Sequence, residues 1–208
     1  MIIRAIEFAF LFVGLPTAYW LRWIALPMIP FLILVTLVCV AILLRDKTFD
    51  RASLWNAGAV RAGLPRVIAL FCVAACGIGA LVAVLAPDTL FALVKRSPLL
   101  WAMIMVLYPL FSVYPQELVY RAFFAHRYSA LFSNTMVRIL ASSLAFGYMH
   151  IVFRNEIAVV MTLIGGAIFA YTYERSKSAL LVSIEHALYG CFIFTIGLGA
   201  YFYGGAVR

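Results

Sequence analysis

The chain has 208 residues; 66% are apolar, 12% are charged, and the formal net charge is +8. An ordinary soluble domain is about 45–50% apolar and about 25% charged, and a globule of this length has too little interior to hide such an excess. The same composition excludes a disordered chain, which leaves a polytopic membrane protein whose outer face is solvated by lipid.

At roughly 20 residues per crossing, the length admits six or seven spans and little else. Residues 1–208 therefore read as a single transmembrane domain: an all-α, polytopic membrane helix bundle of about seven transmembrane helices. In chain order, the first span covers residues 3–20 and the second 24–44. The stretch 45–66, with five basic and two acidic residues, reads as the only sizeable loop. A third span, 67–86, stops at Pro87-Asp88. A fourth begins near Pro98 and runs past Tyr114 into the polar segment PQELVYRAFFAHRY. The last three cover 136–153, 157–173 and 179–201. Arg4 and Glu7 interrupt the first apolar run and no small-residue cleavage site closes it, so it does not read as a signal peptide. Cys39, Cys72, Cys76 and Cys191 lie in apolar runs without a CxxC, and read as small buried residues, not a disulfide framework or a zinc site.

The positive charge belongs to loops facing an anionic leaflet, not to nucleic acid. With the long loop placed in the cytoplasm, ten basic residues fall on that side: Arg4, Arg45, Lys47, Arg51, Arg61, Arg66, Arg127, Arg138, Arg175 and Lys177. Five fall on the other: Arg22, Lys95, Arg96, Arg154 and Arg208. This bias puts the N-terminus in the cytoplasm, and the compact loops point to a bacterial inner membrane.

Ionisable groups in hydrocarbon cost roughly 2.5–3.5 kcal/mol each on insertion scales, so those that persist there need a reason. Four stand out: Glu117, Arg121, His150 and His186. Glu117 and Arg121 are four apart and share a helix face. Pro115 just before them removes a backbone donor and favours a kink, which would open a polar cavity; a purely structural ion pair is the plainer alternative. His150 follows Phe146 by four, and His186 precedes Gly190 by four, where the missing side chain admits a close neighbour. Depth along the helices puts Glu117 and His186 at about 15 Å from their cytoplasmic ends and His150 at about 20 Å or more.

Other polar residues carry less. Glu7 reads as an interfacial partner of Arg4, and His126 and Arg127 as side chains that snorkel. Glu156 and Glu174 read as loop residues. Glu185 points about 100° away from His186 on a helix. Tyr201, Phe202 and Tyr203 read as an aromatic belt, and Gly165, Gly166 and Ala170 as a close-packing face.

QELVYR (116–121), FGYMH (146–150) and HALYG (186–190), in that order on membrane helices, resemble the motifs EExxxR, FxxxH and HxxxN of the CAAX-protease and bacteriocin-processing family of glutamic-type intramembrane proteases. The resemblance covers about residues 98–200. It implies that Glu117 and His150 activate a water for attack on a peptide carbonyl, that His186 stabilises the oxyanion, and that Arg121 orients the carboxylate. It implies a peptide or membrane-protein substrate cut near the cytoplasmic leaflet, with no cofactor. Two positions depart from the pattern: Gln116 stands where the first glutamate would be, and Gly190 where the asparagine would be. Three other readings compete: a metal-dependent protease, since one carboxylate and two histidines could bind zinc; a non-catalytic scaffold or chaperone of the same fold; and a transporter, for which internal repeats and broken helices are not visible.

Overall fold

The structure, a computed structural model, describes residues 1–202. Tyr203 and Arg208, placed above in the belt and in the charge count, lie outside the described residues. Among the described residues seven helices are long and apolar enough to cross a membrane: α1 (Ile2–Trp20), α2 (Met28–Arg45), α3 (Ala57–Leu85), α4 (Pro98–Arg127), α5 (Thr135–Met149, continued by the 3-10 turn His150–Phe153), α6 (Glu156–Ser176) and α7 (Ala179–Ile196). The described residues contain no strand. This is the expected all-α membrane bundle, and the protein is an integral membrane protein.

Short polar residues start the helices. Asn56 accepts from Ala59 N at 3.0 Å, Asn134 from Met136 N at 2.8 Å, Asn155 from Ala158 N at 2.8 Å and Ser178 from Leu181 N at 3.2 Å. Each satisfies one of the orphan donors of a first turn. At the other end, α7 stops at Gly197, whose φ is +102°. A Cβ there would also come within 2.0 Å of the Thr89 carbonyl oxygen, so this close, left-handed turn admits only glycine.

Only the first half of the stretch 45–66 is a loop. A 3-10 turn covers Arg51–Leu54 and α3 begins at Ala57, so Arg61, Pro65 and Arg66 are helical. Twenty-nine residues make about 44 Å of helix, longer than a hydrocarbon core of about 30 Å, and the charged first turns are the excess. At the head of this segment Asp46 accepts from the Thr48 hydroxyl and amide and meets His126 at 3.0 Å. Those partners, Thr48 first, hold its carboxyl below the usual carboxylate range.

Ion pairs gather at one end of the bundle. Glu7 takes a bidentate contact from Arg127, at 2.8 and 2.7 Å, plus the Tyr128 hydroxyl at 3.0 Å, while Arg4 donates to the Arg127 carbonyl. Glu7 therefore ties α1 to the end of α4 and does not pair with Arg4, and Arg127 is bonded, not free to snorkel. Glu174 is a residue of α6, not of a loop, and receives Arg138 at 2.5 and 2.9 Å and Lys177 at 2.5 Å. Glu156 is the first residue of α6. The opposite end is tied by Arg154 donating to Trp20 O and Asn155 to Tyr201 O.

Helices α5 and α6 pack backbone to backbone. At Gly166 a Cβ would lie 3.2 Å from Ser143 Cα, and at Gly147 it would lie 2.4 Å from Leu163 Cδ2. Ser143 Oγ donates to Leu163 O at 2.6 Å. Gly166 has the role expected of it; Gly165 meets only Phe169 of its own helix. Of the cysteines only Cys39 is buried; Cys72 and Cys76 face outward and Cys191 is intermediate, all four as free thiols. The outward pair sits on α3, whose lipid-facing side accepts a small apolar thiol as readily as a core does.

Candidate active site

Helix α4 carries the first half of the site. It is one long helix, but its turns widen to π geometry at Pro109–Val113 and again at Leu118–Phe123, with a single α-helical turn, Tyr114–Glu117, between them. Prolines 109 and 115 supply no backbone donor, and π turns are a known response that re-aims side chains at functional sites. The distortion expected from Pro115 thus takes the form of widened turns on both sides of Glu117. Thr36 of α2 donates to the Pro115 carbonyl at 3.3 Å.

Glu117 is fully enclosed, at 0% exposure, and Arg121 at 1%. Glu117 Oε2 lies 3.1 Å from Arg121 Nε, as an ion-pair contact out of line for a hydrogen bond. Arg121 Nη1 donates to Ser142 Oγ at 2.5 Å and Tyr120 O at 3.2 Å, and the guanidinium lies 4.9 Å over the Phe146 ring. Arg121 is thereby fixed by α5 as well as by its own helix.

His186, on α7, places Nδ1 2.7 Å from Glu117 Oε1. An ionised carboxylate only accepts, so Nδ1 carries the hydrogen. The other nitrogen, Nε2, meets the Tyr108 hydroxyl at 3.1 Å. The ring is stacked on Phe169 of α6 at 4.6 Å and meets Phe146 of α5 edge-on at 5.6 Å. Three helices therefore lock its orientation.

His150 stands at the point where α5 tightens into the 3-10 turn. Its Nδ1 meets the Phe146 carbonyl at 2.7 Å, and its ring packs on Phe146, Phe153 and Phe202 at 4.8, 5.6 and 6.3 Å. A carbonyl only accepts, so here too Nδ1 carries the hydrogen and the neutral ring keeps a lone pair on Nε2. Among the described hydrogen bonds none joins His150 to Glu117 or His186. The link is Phe146, which touches both imidazoles. The depth mismatch has this form: Phe146 is level with His186, and His150 is one turn beyond.

The two positions that depart from the motifs are also accounted for. Gln116 turns back along α4 and donates to Ser112 Oγ at 2.7 Å. Gly190 is filled from α4: a Cβ there would lie 2.4 Å from Tyr108 Cε1 and Oη. Asn155 is committed to capping α6 and to the Tyr201 carbonyl. Glu185 is a residue the sequence passed over. It is 0% exposed and neither carboxyl oxygen has a hydrogen-bond partner among the described residues.

Two cavities in the described residues lie elsewhere. One, of about 290 Å³, opens between Arg4, Asp46 and His126; the other, of about 30 Å³, lies among Phe12, Leu32, Cys39 and Tyr120. Neither includes Glu117, His150 or His186. No group of three His, Cys, Asp or Glu among the described residues is placed to hold a metal ion.

Residues 97–192, just under half the chain, match the family described as Type II CAAX prenyl endopeptidase Rce1-like. Residues 97–192 thus form an Rce1-like segment. It spans α4 to α7 and contains every motif residue named from the sequence, so the family resemblance is borne out. No curated protein and no solved structure matches the chain. The Rce1-like segment contributes Tyr108, Glu117, Arg121, His150 and His186, while α1 and α2 brace it from outside through Glu7 and Thr36.

Proposed function

We propose that the protein, acting as a single transmembrane unit with its N-terminus in the cytoplasm of a bacterium, is an intramembrane endopeptidase centred on Glu117, Arg121, His150 and His186. The observation that carries the reading is the Glu117–His186 pair: a carboxylate and an imidazole at 2.7 Å, enclosed within membrane helices on two separate spans. A structural ion pair needs only Glu117 and Arg121. The added histidine, stacked on Phe169 and met edge-on by Phe146, supplies a polarised imidazole in a site of low dielectric, where electrostatic stabilisation of developing charge is strongest.

The roles divide by hydrogen-bond capacity. Glu117 Oε1 is hydrogen-bonded to His186, whereas Oε2 makes only an ion-pair contact with Arg121, so Glu117 acts through its one hydrogen bond, on His186. His150 Nε2 carries a lone pair with no described partner and is the proton acceptor for the attacking water. A positioned general base contributes about 10²–10⁴-fold. The Arg121–Glu117–His186 line faces the carbonyl oxygen and balances its charge. Because Glu117 is fully enclosed, a peptide reaches this line when neighbouring helices part, which admits an extended segment and excludes bulk water.

The family's description makes a prenylated C-terminal peptide the first substrate to try, with a transmembrane helix as the second. The protein reconstituted in liposomes is expected to cleave one of them, and His150→Ala to lose 10²–10⁴-fold in kcat with unchanged thermal unfolding. Activity is expected to survive a chelator. Loss with chelator and recovery with added zinc would replace this account with metal-assisted hydrolysis.

A further inference from the structure

Gly190 lies one helical turn after His186, and no side chain fits there because Tyr108 already fills the space. The tyrosine is brought in by α4 at the residue before Pro109, where the π turns begin. Its ring stands edge-on to His186, with centroids 6.2 Å apart, and edge-on to Phe194 at 5.4 Å. Its hydroxyl reaches His186 Nε2 at 3.1 Å. The result is one continuous line from Arg121 through Glu117 and His186 to the phenolic oxygen of Tyr108, a residue that as a whole is half-buried where the other three are buried.

We propose that Tyr108 is a further catalytic residue, whose hydroxyl, seated on His186 Nε2 by the absence of a side chain at Gly190, donates the hydrogen bond that stabilises the oxyanion. The proposal rests on the peptidase reading above. A hydroxyl has one hydrogen and two lone pairs. With His186 carrying both ring hydrogens against the Glu117 carboxylate, Nε2–H is given to the tyrosine oxygen and the phenolic hydrogen is released toward substrate. A neutral imidazole alone could not pass on polarisation this way.

The step balances as follows. The water oxygen bonds to the carbonyl carbon, the C=O π pair moves onto oxygen, and the water proton goes to His150 Nε2. The oxyanion accepts the Tyr108 O–H without the hydrogen leaving the tyrosine. On collapse the pair re-forms C=O, the C–N bond breaks, and the amine leaves with the proton from His150. A lysine, a metal or a second carboxylate is not needed for any of these transfers.

The test is steady-state cleavage in liposomes of a fluorogenic farnesylated C-terminal peptide and of a quenched transmembrane peptide. Tyr108→Phe keeps the ring and removes one oxygen. It is expected to lower kcat by about 10²–10³-fold, the usual effect of losing one oxyanion donor, with KM and thermal unfolding unchanged. Gly190→Ala, which displaces the ring, is expected to lower kcat similarly, and combining the two to add nothing further. Tyr148→Phe, whose hydroxyl meets Thr17 at 2.8 Å, serves as a control with wild-type kcat. Wild-type kcat in Tyr108→Phe, a change in KM alone, or losses that multiply in the double variant would each overturn the role of Tyr108. If His150→Ala is inactive in that case, the peptidase reading stands without it. Failure of the wild type on both peptides removes both.

Discussion

Glu117 is held by two partners with different consequences. Arg121 balances its charge, and in the proposed mechanism His186 relays it. Removing one member of a buried pair leaves the other uncompensated, at a cost of about 3–5 kcal/mol, whereas replacing both with apolar groups is often neutral. Arg121→Ala is therefore expected to lower stability by several kcal/mol in detergent unfolding, and Glu117→Gln combined with Arg121→Met to unfold near wild type. Glu185 is the contrasting case. It is as deeply enclosed as Glu117 but has no hydrogen bond to lose, so Glu185→Gln is expected to cost less than about 1 kcal/mol. A large loss would mean that its carboxylate has a partner role. The sequence displayed Glu117, Arg121, His150 and His186 because charge inside an apolar run is conspicuous and an i,i+4 spacing fixes a shared face. It did not display Tyr108, since a tyrosine in a membrane helix is unremarkable until Gly190, on another span, is seen to make room for it. Glu185 carries little weight in the sequence because it points about 100° away from His186. Helix α7 is the most enclosed span, and both of those directions are interior.

At the scale of elements, glycine separates packing from spacing. Gly166 and Gly147 let α5 and α6 touch at backbone distance, which brings Phe146 edge-on and Phe169 stacked against His186. Gly166→Leu is expected to destabilise by about 1–3 kcal/mol through overpacking and to lower kcat, because the aromatic clamp moves with the helices. Gly77, on α3, has nothing within 4 Å of where a Cβ would sit. Gly77→Ala is expected to raise stability by about 0.5–1 kcal/mol, and thermal unfolding of the two variants side by side checks the contrast. Span positions were legible because hydrocarbon imposes length and apolarity on every crossing. The start of α3 was not, because a helix does not end where the membrane does: Asn56 caps it, and Arg61 and Arg66 ride on its protruding turns, with Arg66 lying 5.0 Å over the Tyr171 ring. The π turns of α4 were foreshadowed only by Pro115, which signals a distortion but not its form.

For the whole molecule, the seven candidate crossings among the described residues place the start of α1 and the end of α7 on opposite faces, and the ion pairs of Glu7, Asp46 and Glu174 mark one of those faces. The positive bias is the ground for the proposal that this face is cytoplasmic. In a cysteine-free background, Ser129→Cys is expected to react with a membrane-impermeant maleimide only after permeabilisation, and Asp88→Cys from outside intact spheroplasts; the reverse pattern would invert the topology. In the proposed orientation Glu117 lies about 15 Å from the cytoplasmic end of α4, which puts the proposed cleavage within that leaflet. The central claim is that the enclosed Glu117–His186 pair performs hydrolysis and does not merely pin α4 to α7. The most direct measurement is single-turnover cleavage in liposomes by the wild type and by the doubly neutral Glu117→Gln, Arg121→Met variant, with thermal unfolding followed in parallel. The account predicts a folded variant slower by at least about 10²-fold; a folded variant that cleaves at the wild-type rate would contradict it.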